Sequence, residues 1–62
     1  MQLDKMLNDR EAAQLLGKRV QTLRNWRSLR RGPAYIKLGR SIKYRIEDLR
    51  EYILRSRIDP EK

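Results

Sequence analysis

Residues 20–31 read VQTLRNWRSLRR, and the order of apolar and polar side chains within them decides what the rest of the chain has to do. At about 100° per residue, Val20, Leu23 and Trp26 fall within one arc of a helix, while Gln21, Arg24, Asn25 and Ser28 share the opposite one. The stretch predicts a helix running to Arg30 or Arg31, with one side to bury and one side to expose. No carboxylate interrupts the exposed side. Amide and guanidinium groups on a free helix face donate hydrogen bonds to phosphates and to base edges in a DNA major groove. The expectation is a helix that reads duplex DNA.

Charge is arranged around this stretch. The 62 residues carry 16 Lys and Arg against 8 Asp and Glu, a net charge of +8. All eight acids lie before Lys18 or after Arg45. Between those limits stand ten cations: Lys18, Arg19, Arg24, Arg27, Arg30, Arg31, Lys37, Arg40, Lys43 and Arg45. Positive charge needed only for solubility is normally interspersed with negative, so a block of one sign points to a polyanionic partner.

Composition removes several classes of function. With neither Cys nor His, disulfides, thiolate chemistry and the usual zinc ligand sets are absent, and no cofactor or metal is expected. Glu47, Asp48 and Glu51 are close in sequence but are accounted for structurally, the first two at a helix start and Glu51 opposite Arg55 at i,i+4. No catalytic constellation emerges, so an enzyme is not expected. No apolar run suggests a signal peptide or a membrane span, which leaves the cytoplasm as the expected location, at the bacterial nucleoid when DNA-bound.

Outward from the central helix, Leu7-Asn8-Asp9-Arg10-Glu11 has the form of a capping box, with Leu7 placed to staple onto Ala12. A short first helix follows, burying Ala12, Ala13, Leu15 and Leu16 and ending at Gly17. Only Lys18 and Arg19 then separate it from the second helix, the spacing of a helix-turn-helix. Pro33 forbids continuation on the other side, because it disfavours helix in the residue before it. Beyond it the period falls to 2: Ala34, Ile36 and Leu38, then Ile42 and Tyr44, on either side of a Gly39-Arg40-Ser41 loop. This predicts a β-hairpin with an apolar face on the helices and with Lys37, Arg40, Lys43 and Arg45 on the other face and tip. Ile46, Leu49, Tyr52 and Ile53 recur at helical spacing and form a third, scaffolding helix. Met1 to Met6 shows no periodicity and is expected to be a loose start. Trp26, Tyr44 and Tyr52 are expected in or beside the core, and Tyr35 either packs or meets a phosphate.

The fold class expected is mainly α with a small β-hairpin, a winged helix-turn-helix with a two-stranded wing, forming a single domain over residues 1–62 with an ordered core at about 7–56. In that order, Glu11-Ala12-Ala13, Leu15-Leu16-Gly17, Thr22-Leu23-Arg24-Asn25-Trp26, Gly32-Pro33, Gly39-Arg40 and Asp48-Leu49 resemble the excisionase and AlpA-type regulators of phages and integrated elements, relatives of the MerR DNA-binding domain. The resemblance covers Leu7 to Ile53. It implies that the second helix enters the major groove and the hairpin tip the adjacent minor groove. Gln21 and Asn25 would then meet base edges in the major groove, with Thr22, Arg24 and Ser28 alongside and Thr22 and Arg24 nearest the backbone. Arg40, with Ser41, would enter the minor groove. Lys18, Arg19, Arg27, Arg31, Lys37, Lys43 and Arg45 are the cations expected on the DNA backbone. The family commonly carries Ser or Thr just before the second helix; here Lys18 and Arg19 stand there, so the usual N-cap is missing.

The function implied is sequence-specific binding of double-stranded DNA as an excisionase, a recombination directionality factor that bends DNA beside an integrase or other recombinase. An AlpA-type transcriptional regulator is the alternative with the same domain, and a basic RNA-binding or protein-interaction adaptor the more distant one. A monomer in solution that assembles cooperatively on DNA is expected, with no membrane partner.

Overall fold

In the computed structural model, which describes residues 6–60, the first helix, α1 (Asp9–Leu16), begins where a side chain takes over an open backbone donor. The Glu11 amide donates to Asn8 Oδ1 at 2.8 Å and the Asn8 amide donates to Glu11 Oε1 at 2.9 Å. This reciprocal pair satisfies two donors that would otherwise lack partners at the helix start. The helix ends at Gly17, whose φ is +67°. There the Lys18 amide reaches back to the Ala13 carbonyl at 2.8 Å and the Gly17 amide to Gln14 at 3.2 Å, the paired bonds of a Schellman motif.

The second helix, α2 (Val20–Ser28), stops earlier than Pro33 requires. The Arg31 amide donates to the Trp26 carbonyl at 2.7 Å and the Arg30 amide to Arg27 at 3.1 Å. This is the same motif that ends α1, with Arg30 in the left-handed position at φ +57°. The helix expected to reach Arg30 or Arg31 is therefore closed at Ser28 by its own terminal hydrogen bonds, and Pro33 only follows. A side chain at a left-handed position costs about 1–2 kcal/mol, and glycine avoids most of it. Arg30→Gly should accordingly raise stability by about 1 kcal/mol, a gain of roughly 4–8 °C in Tm for a domain of this size; thermal unfolding followed by circular dichroism checks it, and a fall in Tm would contradict the left-handed closure.

The sheet differs from the expected hairpin in two ways. Met6 and Leu7 form a strand, β1, on the far edge of β3 (Ser41–Arg45), while β2 (Ile36–Leu38) lies on its near edge, giving the antiparallel order β1-β3-β2. Met6, expected in a loose start, pairs with Arg45, and Leu7 pairs with Tyr44; Met1 to Lys5 lie outside the described residues. Two residues are too few for any periodicity to show. Secondly, Leu38 pairs with Ser41, Lys37 with Ile42 and Ile36 with Lys43, so the loop is the two residues Gly39-Arg40. Gly39 has φ +62° and Arg40 does not share the positive sign, the pattern of a II′ turn. Shortening a loop by one residue moves one strand's side chains to the opposite face. Ile36 and Leu38 consequently share a face with Lys43, and Lys37 shares one with Ile42 and Tyr44, which corrects the expectation of one apolar and one cationic face.

The core lies where α1, α2, β3 and the third helix, α3 (Ile46–Arg55), meet. Ala12, Ala13, Leu23, Tyr44 and Leu49 are buried, and Leu7, Leu16, Val20, Trp26 and Ile42 pack around them. The two alanines are small enough to let α2 approach α1, and Leu23 of α2 is buried in the same cluster. Each fully buried leucine contributes about 1.5–3 kcal/mol, a large share in so small a chain. On the helices, two apolar residues expected inside are instead at the surface. Leu15 is 55% exposed, because it stands about 100° round the helix from Leu16. Ile53 is 46% exposed: its angle matches that of Leu49, and it sits one turn further along the axis. Trp26 meets Tyr52 with ring centroids 5.8 Å apart, tying α2 to α3.

Candidate nucleic-acid interface

The surface of α2 opposite Leu23 carries the residues singled out in the sequence. Gln21, Arg24, Asn25 and Ser28 are exposed and Thr22 is half-buried. The Gln21 Nε2 group donates to Asn25 Oδ1 at 3.0 Å, the contact that i,i+4 spacing allows on one helix face. The bond uses Gln21 Nε2 and Asn25 Oδ1 and so leaves the Asn25 amide donors and the Gln21 carbonyl oxygen outside it. A donor and an acceptor held side by side match the kind of pattern a base edge presents in the major groove.

The start of α2 is bare. Arg19 occupies the N-cap with extended backbone and makes no side-chain cap hydrogen bond, in keeping with the missing Ser or Thr. Lys18 and Arg19 are both exposed there. The tip of the β2–β3 ribbon presents Arg40 and Ser41, also exposed.

Three of the expected cations have partners inside the molecule. Arg24 donates through Nε to Asp9 Oδ2 at 3.1 Å. Arg27 lies between elements rather than on the surface: its side chain is 16% exposed, Nη1 donates to the Tyr44 hydroxyl at 2.8 Å, and its guanidinium sits 5.8 Å from the centre of the Tyr35 ring. Tyr35 in turn packs against Tyr44, while remaining 42% exposed. Arg45 binds Asp48 through Nε and Nη2, both at 2.9 Å. That fork holds the Asp48 carboxyl below its usual range, chiefly through the hydrogen bond. Its contribution to stability is therefore present at neutral pH and lost only as pH falls through the lowered value. Of the acidic trio read from the sequence, Asp48 takes Arg45, Glu51 faces Arg55 at 4.0 Å, and Glu47 stands with Asp48 in the first turn of the third helix.

Lys18, Arg19, Arg30, Arg31, Lys37, Arg40 and Lys43 have no ion pair among the described residues. Lys37 stands on the opposite face of the ribbon from Lys43, so both faces of the ribbon carry a cation near the tip. The role of Asp9 had no local signal in the sequence, since its partner Arg24 lies fifteen positions away on the next helix. Arg30 is exposed, since α2 ends before it.

Among the described residues no group of three or more metal-ligating side chains occurs, and no helix is long and apolar enough to cross a membrane.

Two helices joined by a tight turn, a β ribbon beside them and a third helix behind define a small winged helix-turn-helix domain. The helix-turn-helix domain family matches residues 6–57, and the chain belongs to that family, the one that includes the excisionase and AlpA-type proteins. No match was found among curated proteins or among solved structures.

Proposed function

We propose that this domain binds duplex DNA with α2 in the major groove and the Gly39-Arg40 tip in the adjacent minor groove, and that it serves as an excisionase-type factor beside an integrase. The observation that carries the reading is the coupled Gln21–Asn25 pair on an acid-free helix face in a chain of the helix-turn-helix family. Gln21 and Asn25 read bases, with Thr22, Arg24 and Ser28 beside them. Lys18, Arg19, Arg31, Lys37 and Lys43 meet phosphates. Arg40 suits the minor groove, where a narrow cleft concentrates negative potential. Arg27 orders the site from within, and Arg45 reaches a phosphate only while sharing its guanidinium with Asp48. The domain works as one unit in the cytoplasm, without a catalytic step, and is monomeric until neighbouring sites on DNA bring copies together.

Selection of bound duplexes from a random pool tests this reading. Clustered direct repeats support cooperative, excisionase-like assembly; a single isolated site or a palindrome supports the transcriptional regulator instead, and preference for structured RNA over duplex DNA of equal length overturns both. With a selected duplex in hand, Asn25→Ala should cost about 1–3 kcal/mol at particular base pairs and relax preference there, whereas Lys43→Ala should weaken all sequences alike. Equal losses for Asn25→Ala on selected and random duplexes would remove Asn25 from base reading.

A further inference from the structure

Asp9 joins α1 to α2 through ion pairs to Arg24 and Arg27, made from the first turn of α1, where the helix dipole favours a negative charge. Its side chain is 18% exposed. A single oxygen, Oδ2, takes Arg24 Nε at 3.1 Å and lies 3.8 Å from Arg27 Nη2. Arg27 is itself fixed by the Tyr44 hydroxyl, and Tyr44 is a core residue 1% exposed. The carboxylate therefore rests on a rigid base.

This geometry determines what Arg24 can do. Of the five N–H donors on a guanidinium, Asp9 engages the one on Nε and leaves the two terminal amino groups uncommitted. Arg24 is 49% exposed, so those groups face outward as a planar fork whose direction is set from behind. A fork of this kind matches two oxygens of one phosphate. Held in one direction, it meets a phosphate only when α2 sits at one depth and register in the groove. Released, the same long side chain follows any nearby phosphate.

We propose that Asp9 is a positioning residue for DNA discrimination: by holding Arg24 through Nε it aims one phosphate-binding fork and withholds that cation from DNA in other registers. The proposal rests on the reading of α2 as the DNA-binding helix. It predicts an effect opposite in sign to ordinary damage. Losing a structural ion pair weakens a binding protein toward every ligand, whereas losing this one should strengthen binding to random DNA.

The test compares two probes of equal length, a duplex recovered by selection and a random-sequence duplex. Asp9→Asn should bind the random duplex several-fold more tightly than the parent protein, with a log–log salt slope steeper by up to about 0.9, the value of one added phosphate contact. Affinity for the selected duplex should stay level or fall, so the ratio between the two narrows. Asp9→Glu should restore part of the ratio. In an Arg24→Gln background, Asp9→Asn should no longer tighten random binding. A full gain persisting in that background overturns the proposal, since the acid would then act only through net charge. Equal weakening on both duplexes also overturns it. Should Asp9→Asn fail to fold, Arg24→Gln alone decides: the proposal requires a larger loss on the selected duplex than on the random one, and equal losses refute it. If the parent protein binds neither duplex, the underlying DNA reading fails instead, an outcome distinct from all of these.

Discussion

Raising salt from 50 to 200 mM should weaken binding to duplex DNA by on the order of 10²- to 10³-fold. Each phosphate neutralised releases condensed counterions and adds about −0.9 to the slope of log affinity against log salt. The block from Lys18 to Arg45 holds ten cations, but the structure divides them. Arg27 is inside the fold, Arg45 is held by two bonds to Asp48, and Arg24 shares a bond with Asp9. Seven others have no ion pair among the described residues. About five simultaneous phosphate contacts give the stated range. Fluorescence anisotropy with a labelled duplex across a salt series measures it directly. A slope near zero would mean that the cationic block serves something other than a polyanion.

Gly32→Ala should destabilise the fold far more than Gly17→Ala, although both glycines have positive φ. Gly17 has φ +67° and nothing within 4 Å of where a Cβ would lie, so alanine there meets backbone strain alone, about 1–2 kcal/mol. Gly32 has φ +85°, and a Cβ added to it would stand 2.6 Å from Trp26 Cε3. Trp26 cannot easily withdraw, because its ring is in contact with Tyr52 and packs on the core. Overpacking adds about 1–3 kcal/mol, for a total of about 2–5 kcal/mol. A chain of this length has only about 3–9 kcal/mol to lose. Gly32→Ala should therefore be largely unfolded at moderate temperature while Gly17→Ala remains folded. Chemical denaturation of the two variants compares them, and equal midpoints would remove the close approach of the turn to Trp26 as the cause.

The order of elements was legible because each element carries its own local signal. Asn8 and Glu11 announce the start of α1 through bonds within four residues, and Gly17 ends it through its backbone freedom. The period of 3.6 in Val20, Leu23 and Trp26, and again in Ile46, Leu49 and Tyr52, marks faces that need burying. Gln21 and Asn25 followed from the same wheel, since residues opposite a buried stripe must be exposed. Features resting on a difference of one residue were not legible. A two-residue turn in place of three transferred Ile36 and Leu38 to the other face of the ribbon. Closure at Ser28, with Arg30 in the left-handed position, ended α2 short of the expected Arg30 or Arg31.

By itself the sequence determined the three helices and the two strands of the ribbon, that the middle of the chain is a cationic block, and which side of α2 faces outward. Those properties depend on neighbours within about one turn of helix or one step of strand, and such distances are written into residue order. Only the tertiary structure decided that Met6 and Leu7 add a third strand, that Asp9 and Tyr44 take Arg24 and Arg27 from among the cations, and that Gly32 lies against Trp26. Each of those contacts joins separate elements, and no local period encodes the distance between two surfaces that meet only after the chain has folded.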